Sequence, residues 1–67
     1  MEMFEPEDEV DTSNYQLVSR RGDEVIILAP RLKMPEDEAL LHAAWLLVMS
    51  GDDEEKFQKI VRAVKNT

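Results

Sequence analysis

The spacing of hydrophobic positions changes once along this chain. Between residues 15 and 29 they cluster in two short blocks, 15–19 and 24–29, either side of Arg20-Arg21-Gly22-Asp23. From residue 39 onward they recur at intervals of three and four. Side chains alternate across a strand and repeat near 3.6 along a helix. The pattern predicts an α+β fold: a β-hairpin followed by two antiparallel α-helices, ββαα, with the helices on one sheet face.

Gly22 can supply the positive φ of a tight hairpin turn. A register closing on Ser19 and Glu24 pairs Val18 with Val25, Leu17 with Ile26, Gln16 with Ile27 and Tyr15 with Leu28. One face then carries Tyr15, Leu17, Ile26 and Leu28. The other carries Val18, Val25 and Ile27 with Gln16. The second strand is apolar on both faces, and a two-stranded ribbon is not stable alone. Both faces are therefore expected to be covered.

Pro35 suits the first position of a helix, and Glu36, Asp37 and Glu38 complement its dipole. This helix is expected from about Pro35 to about Met49, with Gly51 as its stop. Asp52 is the expected cap of a second helix, with Glu55 three residues on as in a capping box. Its residues Phe57, Ile60, Val61 and Val64 make one apolar stripe, leaving Lys59, Arg62 and Lys65 to solvent. The first helix is different. Leu40, Ala43, Ala44 and Leu47 form one stripe, Leu41, Trp45 and Val48 another, and Leu46 and Met49 widen the belt. A helix apolar over so much of its circumference is covered on more than one side.

Charge divides the 67 residues unevenly. The formal net charge is −7, and six acids before Tyr15, with no base among them, carry most of it. Residues 1–14 read as an acidic disordered tail, too polar to offset the entropy of ordering, with Met3, Phe4 and Val10 as apolar exceptions. Residues 15–67 read as a single small domain. A body of that size buries a small fraction of its surface and usually needs extra support. There is no Cys, which excludes disulfides and thiolate metal sites, and His42 is the only histidine. A second subunit is the remaining support. The N-terminus has neither the basic nor the apolar region of a signal peptide, and the apolar run 39–49 is too short to span a bilayer. A cytoplasmic protein without membrane contact is expected.

No catalytic constellation is evident. The chain has two glycines and none of the glycine-rich or nucleophile motifs. Ser19 and Ser50 could act only with His42 as base, and neither position suggests it. Glu38 and His42, four apart, read as a local helix pair. Asp52-Asp53-Glu54-Glu55 lacks the alternating ligands and glycine of a calcium loop and reads as capping. Arg21-Gly22-Asp23 spells an adhesion tripeptide but reads as turn chemistry. Arg20, Arg21, Arg31 and Lys33 read as solvated, or as a landing place for the acidic tail. The expectation is no enzyme and no cofactor.

Two resemblances bear on partners. Arg21-Gly22-Asp23-Glu24-Val25, then Met34-Pro35, Glu38-Ala39-Leu40 and Ala43-Ala44-Trp45-Leu46, resemble small uncharacterised accessory proteins of actinobacterial phages. The likeness runs over residues 15–67 and implies a protein acting in the host cytoplasm, with no assigned mechanism. The order of strand, helix, Gly-containing turn and capped helix from Glu24 to Asn66 also resembles ribbon-helix-helix repressors, dimers that read the major groove with paired strands. Here the second strand offers Val25, Ile26, Ile27 and Leu28 instead of a polar reading row, and the acidic tail opposes phosphate.

The leading expectation is a non-enzymatic homo-oligomeric interaction module, a dimer by preference, with a host protein as a further partner. The alternatives are a nucleic-acid-binding regulator and an acidic DNA mimic. The tail argues against mimicry, which needs carboxylates at fixed spacing. The expected subunit interface comprises Leu40, Leu41, Ala44, Trp45, Leu47 and Val48 on the first helix, with Val25 and Ile27 on the second strand. Trp45, a residue type favoured in binding hot spots, is expected near its middle.

Overall fold

Strand β1 (Val18–Arg21) and strand β2 (Glu24–Ile27) form an antiparallel hairpin, followed by helices α1 (Glu36–Met49) and α2 (Glu54–Lys65). The computed structural model describes residues 10–67. The ββαα order and the α+β class are those expected from the periodicity. Of the tail expected over residues 1–14, residues 1–9 lie outside the described residues.

The hairpin register differs from the one expected. Val18 lies opposite Ile27, Ser19 opposite Ile26, Arg20 opposite Val25 and Arg21 opposite Glu24. The loop is therefore two residues, Gly22 and Asp23, with Gly22 at φ +60°. A positive φ at the first loop position is what a type II′ hairpin turn requires, and its twist matches that of the strands. Both arginines thus belong to β1. A slip of two residues preserves side-chain parity, so Val18, Val25 and Ile27 still share one face, now with Arg20.

The first strand also begins later than expected. Leu17 has φ +54°, a left-handed conformation that costs a leucine about 1 kcal/mol. Its N–H donates to the Asn14 carbonyl at 3.1 Å, so residues 14–17 form a turn. The Asn14 side chain then completes what the turn interrupts. Its Nδ2 donates to the Val18 carbonyl at 2.9 Å, and its Oδ1 accepts from the Val18 N–H at 2.8 Å. One side-chain amide so satisfies both backbone groups of Val18, in the way a third strand would.

Pro35 occupies the cap position of α1, and the three acids follow in the first turn. The helix ends in a Schellman motif. The Asp52 N–H donates to the Leu47 carbonyl at 2.9 Å and the Gly51 N–H to the Val48 carbonyl at 3.2 Å, with Gly51 at φ +116°. Asp52 is thereby consumed in closing α1. The cap of α2 falls one residue later than expected, on Asp53, whose carboxylate accepts from the Lys56 N–H at 3.0 Å.

Helix α1 packs on the hairpin, chiefly against β1. Its last turn holds no basic residue of its own. Arg20 supplies one from the hairpin, donating from Nη1 to the Met49 carbonyl at 3.2 Å and from Nε to the Gly22 carbonyl at 3.0 Å. A guanidinium at exposed helix carbonyls offsets the negative end of the dipole. Arg20 therefore has a structural task beyond the solvation expected of it.

Candidate functional site

The interior is very small. Val18, 2% exposed, is the one large apolar side chain fully buried among the described residues, and Gln16, 3% exposed, is the one buried polar residue. Gln16 acts as a clasp between the foot of the hairpin and the connector to α1. Its Oε1 accepts from the Arg31 N–H at 3.1 Å, its Nε2 lies 3.3 Å from the Met34 sulfur, and its carbonyl accepts from the Ala29 N–H at 3.0 Å.

Two apolar grooves flank α1. The larger, about 580 Å³, has Tyr15, Pro35, Leu40, Leu41 and Ala44 along its floor, with Val10 at one side. Its rim is acidic: Asp11, Asp37 and Glu38. The smaller, about 260 Å³, lies between Val25 on β2, Ala43, Leu46 and Leu47 on α1, and Phe57 on α2.

A chain of polar contacts crosses the larger groove. The Tyr15 hydroxyl donates to Asp11 Oδ2 at 2.6 Å, and Asp11 Oδ1 accepts from the Ser13 N–H at 2.9 Å. These bonds, the one from Tyr15 foremost, hold the Asp11 carboxyl below its usual pKa. The same Asp11 acceptor pushes the Tyr15 phenol above its usual pKa. The Arg31 guanidinium lies 5.6 Å from the Tyr15 ring centroid, within cation–π range, and its Nη1 pairs with Glu38 Oε1 at 2.8 Å. Glu38 Oε2 is shielded from solvent without a hydrogen-bond partner among the described residues.

The eight residues expected at an interface fall into three situations. Leu40, Ala44 and Val48 are exposed along α1, and their four-residue spacing puts them in one row. Leu41, Leu47 and Trp45 are half-buried, while Val25 and Ile27 are each a little over a third exposed. Trp45 is turned toward its own chain: the indole N–H is shared between the Thr12 carbonyl at 3.2 Å and the Ser13 carbonyl at 3.1 Å. The segment just before Tyr15, read from the sequence as the end of the tail, is thus tied to the body by Trp45, Asp11 and Asn14. Sequence reasoning missed Asn14 and Gln16. The available signals were an Asn at a strand entry and a Gln on an otherwise apolar face.

The candidate chemical groups lie apart or are engaged. Ser50 Oγ donates to the Leu47 carbonyl at 2.9 Å, helping to end α1. The Glu38 carboxylate is taken by Arg31 instead of His42. Among the described residues no group of three or more His, Cys, Asp or Glu could hold a metal ion, and no helix is long and apolar enough to cross a membrane. What the surface offers is apolar area beside charge. No family model, curated protein or solved structure matches this chain.

Proposed function

We propose that this protein is a non-enzymatic interaction module that works as a homo-oligomer, a dimer by preference. One observation carries the reading: among the described residues a single large apolar side chain, Val18, is buried, while Leu28, Leu32, Leu40, Val48, Ile60 and Val64 are each more than half exposed. Large contiguous apolar area on a soluble surface marks an interaction site. A chain whose own core is this small gains from association what it lacks inside. The absent disulfide and the absent cluster of metal ligands among the described residues leave association as the available support.

The resemblance to phage accessory proteins extends the proposal to a host protein as a further partner, in the host cytoplasm. A nucleic-acid regulator of the ribbon-helix-helix kind is less favoured. Such dimers pair one strand from each chain, whereas β2 pairs with β1 of its own chain and exposes no polar reading row.

The test is thermal melting of the full chain over a ~100-fold range of concentration, together with sedimentation equilibrium. Linked association makes the melting temperature rise with concentration and gives a mass above that of one chain. A monomer at micromolar concentration, with a melting temperature unaffected by dilution, overturns the reading.

A further inference from the structure

We infer that the acid-rimmed groove on α1 is the seat for helix α2 of a second copy of this chain, the two helices running antiparallel. This rests on the homo-oligomeric reading above and specifies its geometry. Three observations lead to it.

The first is that two apolar rows on one chain do not meet each other. On α1, Leu40 is 71% and Val48 54% exposed, with the small Ala44 between them. On α2, Ile60 is 52% and Val64 63% exposed. The chain's own α2 reaches only the smaller groove, through Phe57, and contributes nothing to the lining of the larger one. Among the described residues both rows are therefore open in one molecule. The helices match in length, at roughly 21 Å for the 14 residues of α1 and 18 Å for the 12 of α2. Ala44 at the centre of the row allows a facing helix to approach closely.

The second is charge. Helix α1 carries Glu36, Asp37 and Glu38 in its first turn and no lysine or arginine anywhere. Helix α2 carries Glu54 and Glu55 in its first turn and Arg62 and Lys65 in its last. By helical spacing, Lys65 falls beside Val61, at one edge of the apolar stripe. An antiparallel seat brings the α2 end that carries Lys65 to the acidic first turn of the partner's α1, while Arg62 lies on the far side of α2 from Ile60 and Val64. A parallel seat would bring Asp53, Glu54 and Glu55 against Glu36, Asp37 and Glu38. Complementary charge at one end and like charge at the other fix the direction.

The third is area. The exposed fractions of Leu40, Val48, Ile60 and Val64 amount to about two and a half whole side chains per molecule, doubled when a two-fold axis makes each α2 cover the other's groove. With Tyr15, Ala44 and the charged rim this approaches roughly 1,000 Å², the lower bound of a specific stable interface.

Because the chain has no cysteine, engineered thiols report the seat directly. Full-length Leu40→Cys and Val64→Cys proteins are mixed, oxidised mildly and read on a non-reducing gel with mass spectrometry. The expected product is a disulfide joining position 40 of one chain to position 64 of the other. In sedimentation, Asp37→Lys and Lys65→Glu should each weaken the dimer by up to about fivefold, the scale of an exposed ion pair, and combining them should recover the loss. All four residues are exposed, so the variants should keep the parent's circular dichroism. A 40-to-40 disulfide within a dimer, or, in a chain carrying both cysteines, a 40-to-64 disulfide within that one chain, overturns this seat while homo-oligomerisation stands. So does a dimer indifferent to both charge reversals. A parent chain that is monomeric at every concentration overturns the homo-oligomeric reading itself.

Discussion

Replacing Asn14 by alanine should remove a large part of the stability of this fold. The side-chain amide holds both backbone groups of Val18, at 2.8 Å and 2.9 Å, and Val18 is the most buried apolar residue among those described. Alanine leaves a donor and an acceptor without protein partners. An unsatisfied buried group costs about 1–3 kcal/mol, and both bonds are only part-buried, so the low end applies to each and the pair comes to about 2 kcal/mol. A chain of this length has a total stability of about 3–10 kcal/mol, so the loss is a substantial fraction. With a urea dependence near 1 kcal/mol per molar, the midpoint falls by about 2 M. Asn14→Asp keeps an acceptor for the Val18 N–H and loses the donor, so about half that shift is expected. The assay is urea unfolding followed by Trp45 fluorescence and far-UV circular dichroism, at one fixed protein concentration because association is linked to folding. An Asn14→Ala midpoint within about 0.3 M of the parent would refute the bracketing role, since that shift is smaller than one exposed hydrogen bond is worth.

Two further outcomes follow from the geometry. Gly51→Ala should cost about 1 kcal/mol by thermal unfolding; a Cβ there meets nothing within 4 Å, so the loss comes from φ +116° alone, and a neutral result would contradict the Schellman closure of α1. Alkaline titration of Tyr15 by phenolate absorbance should give a midpoint above 10.0, brought back toward it by Asp11→Asn. The linkage sign is fixed by the directions: the raised tyrosine contributes stability below its unfolded pKa of 10.0 that is lost as pH rises through its folded value, and the lowered aspartate contributes above 3.8 and loses it as pH falls.

The element order was legible because period two and period 3.6 are both strong signals here, and the helix ends to within a residue because Pro35, Gly51 and the acid runs mark them; Pro35 turned out to be the cap instead of the first helical residue, and Asp53 took the capping place expected of Asp52. The exact hairpin register was not. Arg20 and Arg21 fit a loop or an exposed strand end equally well, and only the two-residue turn at Gly22-Asp23 decides between them. The face assignment of Val18, Val25 and Ile27 survived because the slip was even. The surplus of apolar positions on α1 was legible as a row needing cover. The roles of Asn14, Gln16 and Arg20 were not, because each is a side chain bonding backbone brought close only by the fold. Arg20 reaches a carbonyl 29 residues away, a pairing that no local period encodes.

That bond has a consequence for how the molecule opens. Arg20 joins the hairpin to the last carbonyl of α1, so the strand end and the helix end gain or lose their order together. Gln16 and Trp45 make similar ties from the segment before β1 to the connector and to the middle of α1. Among the described residues helix α2 has no such tie: its cap is local, at Asp53, and its bases lie on its own surface. Amide hydrogen exchange should therefore divide the body into two units. Residues 14–49 should exchange through one shared opening, while α2 exchanges faster in dilute protein and slows only when something lies against it.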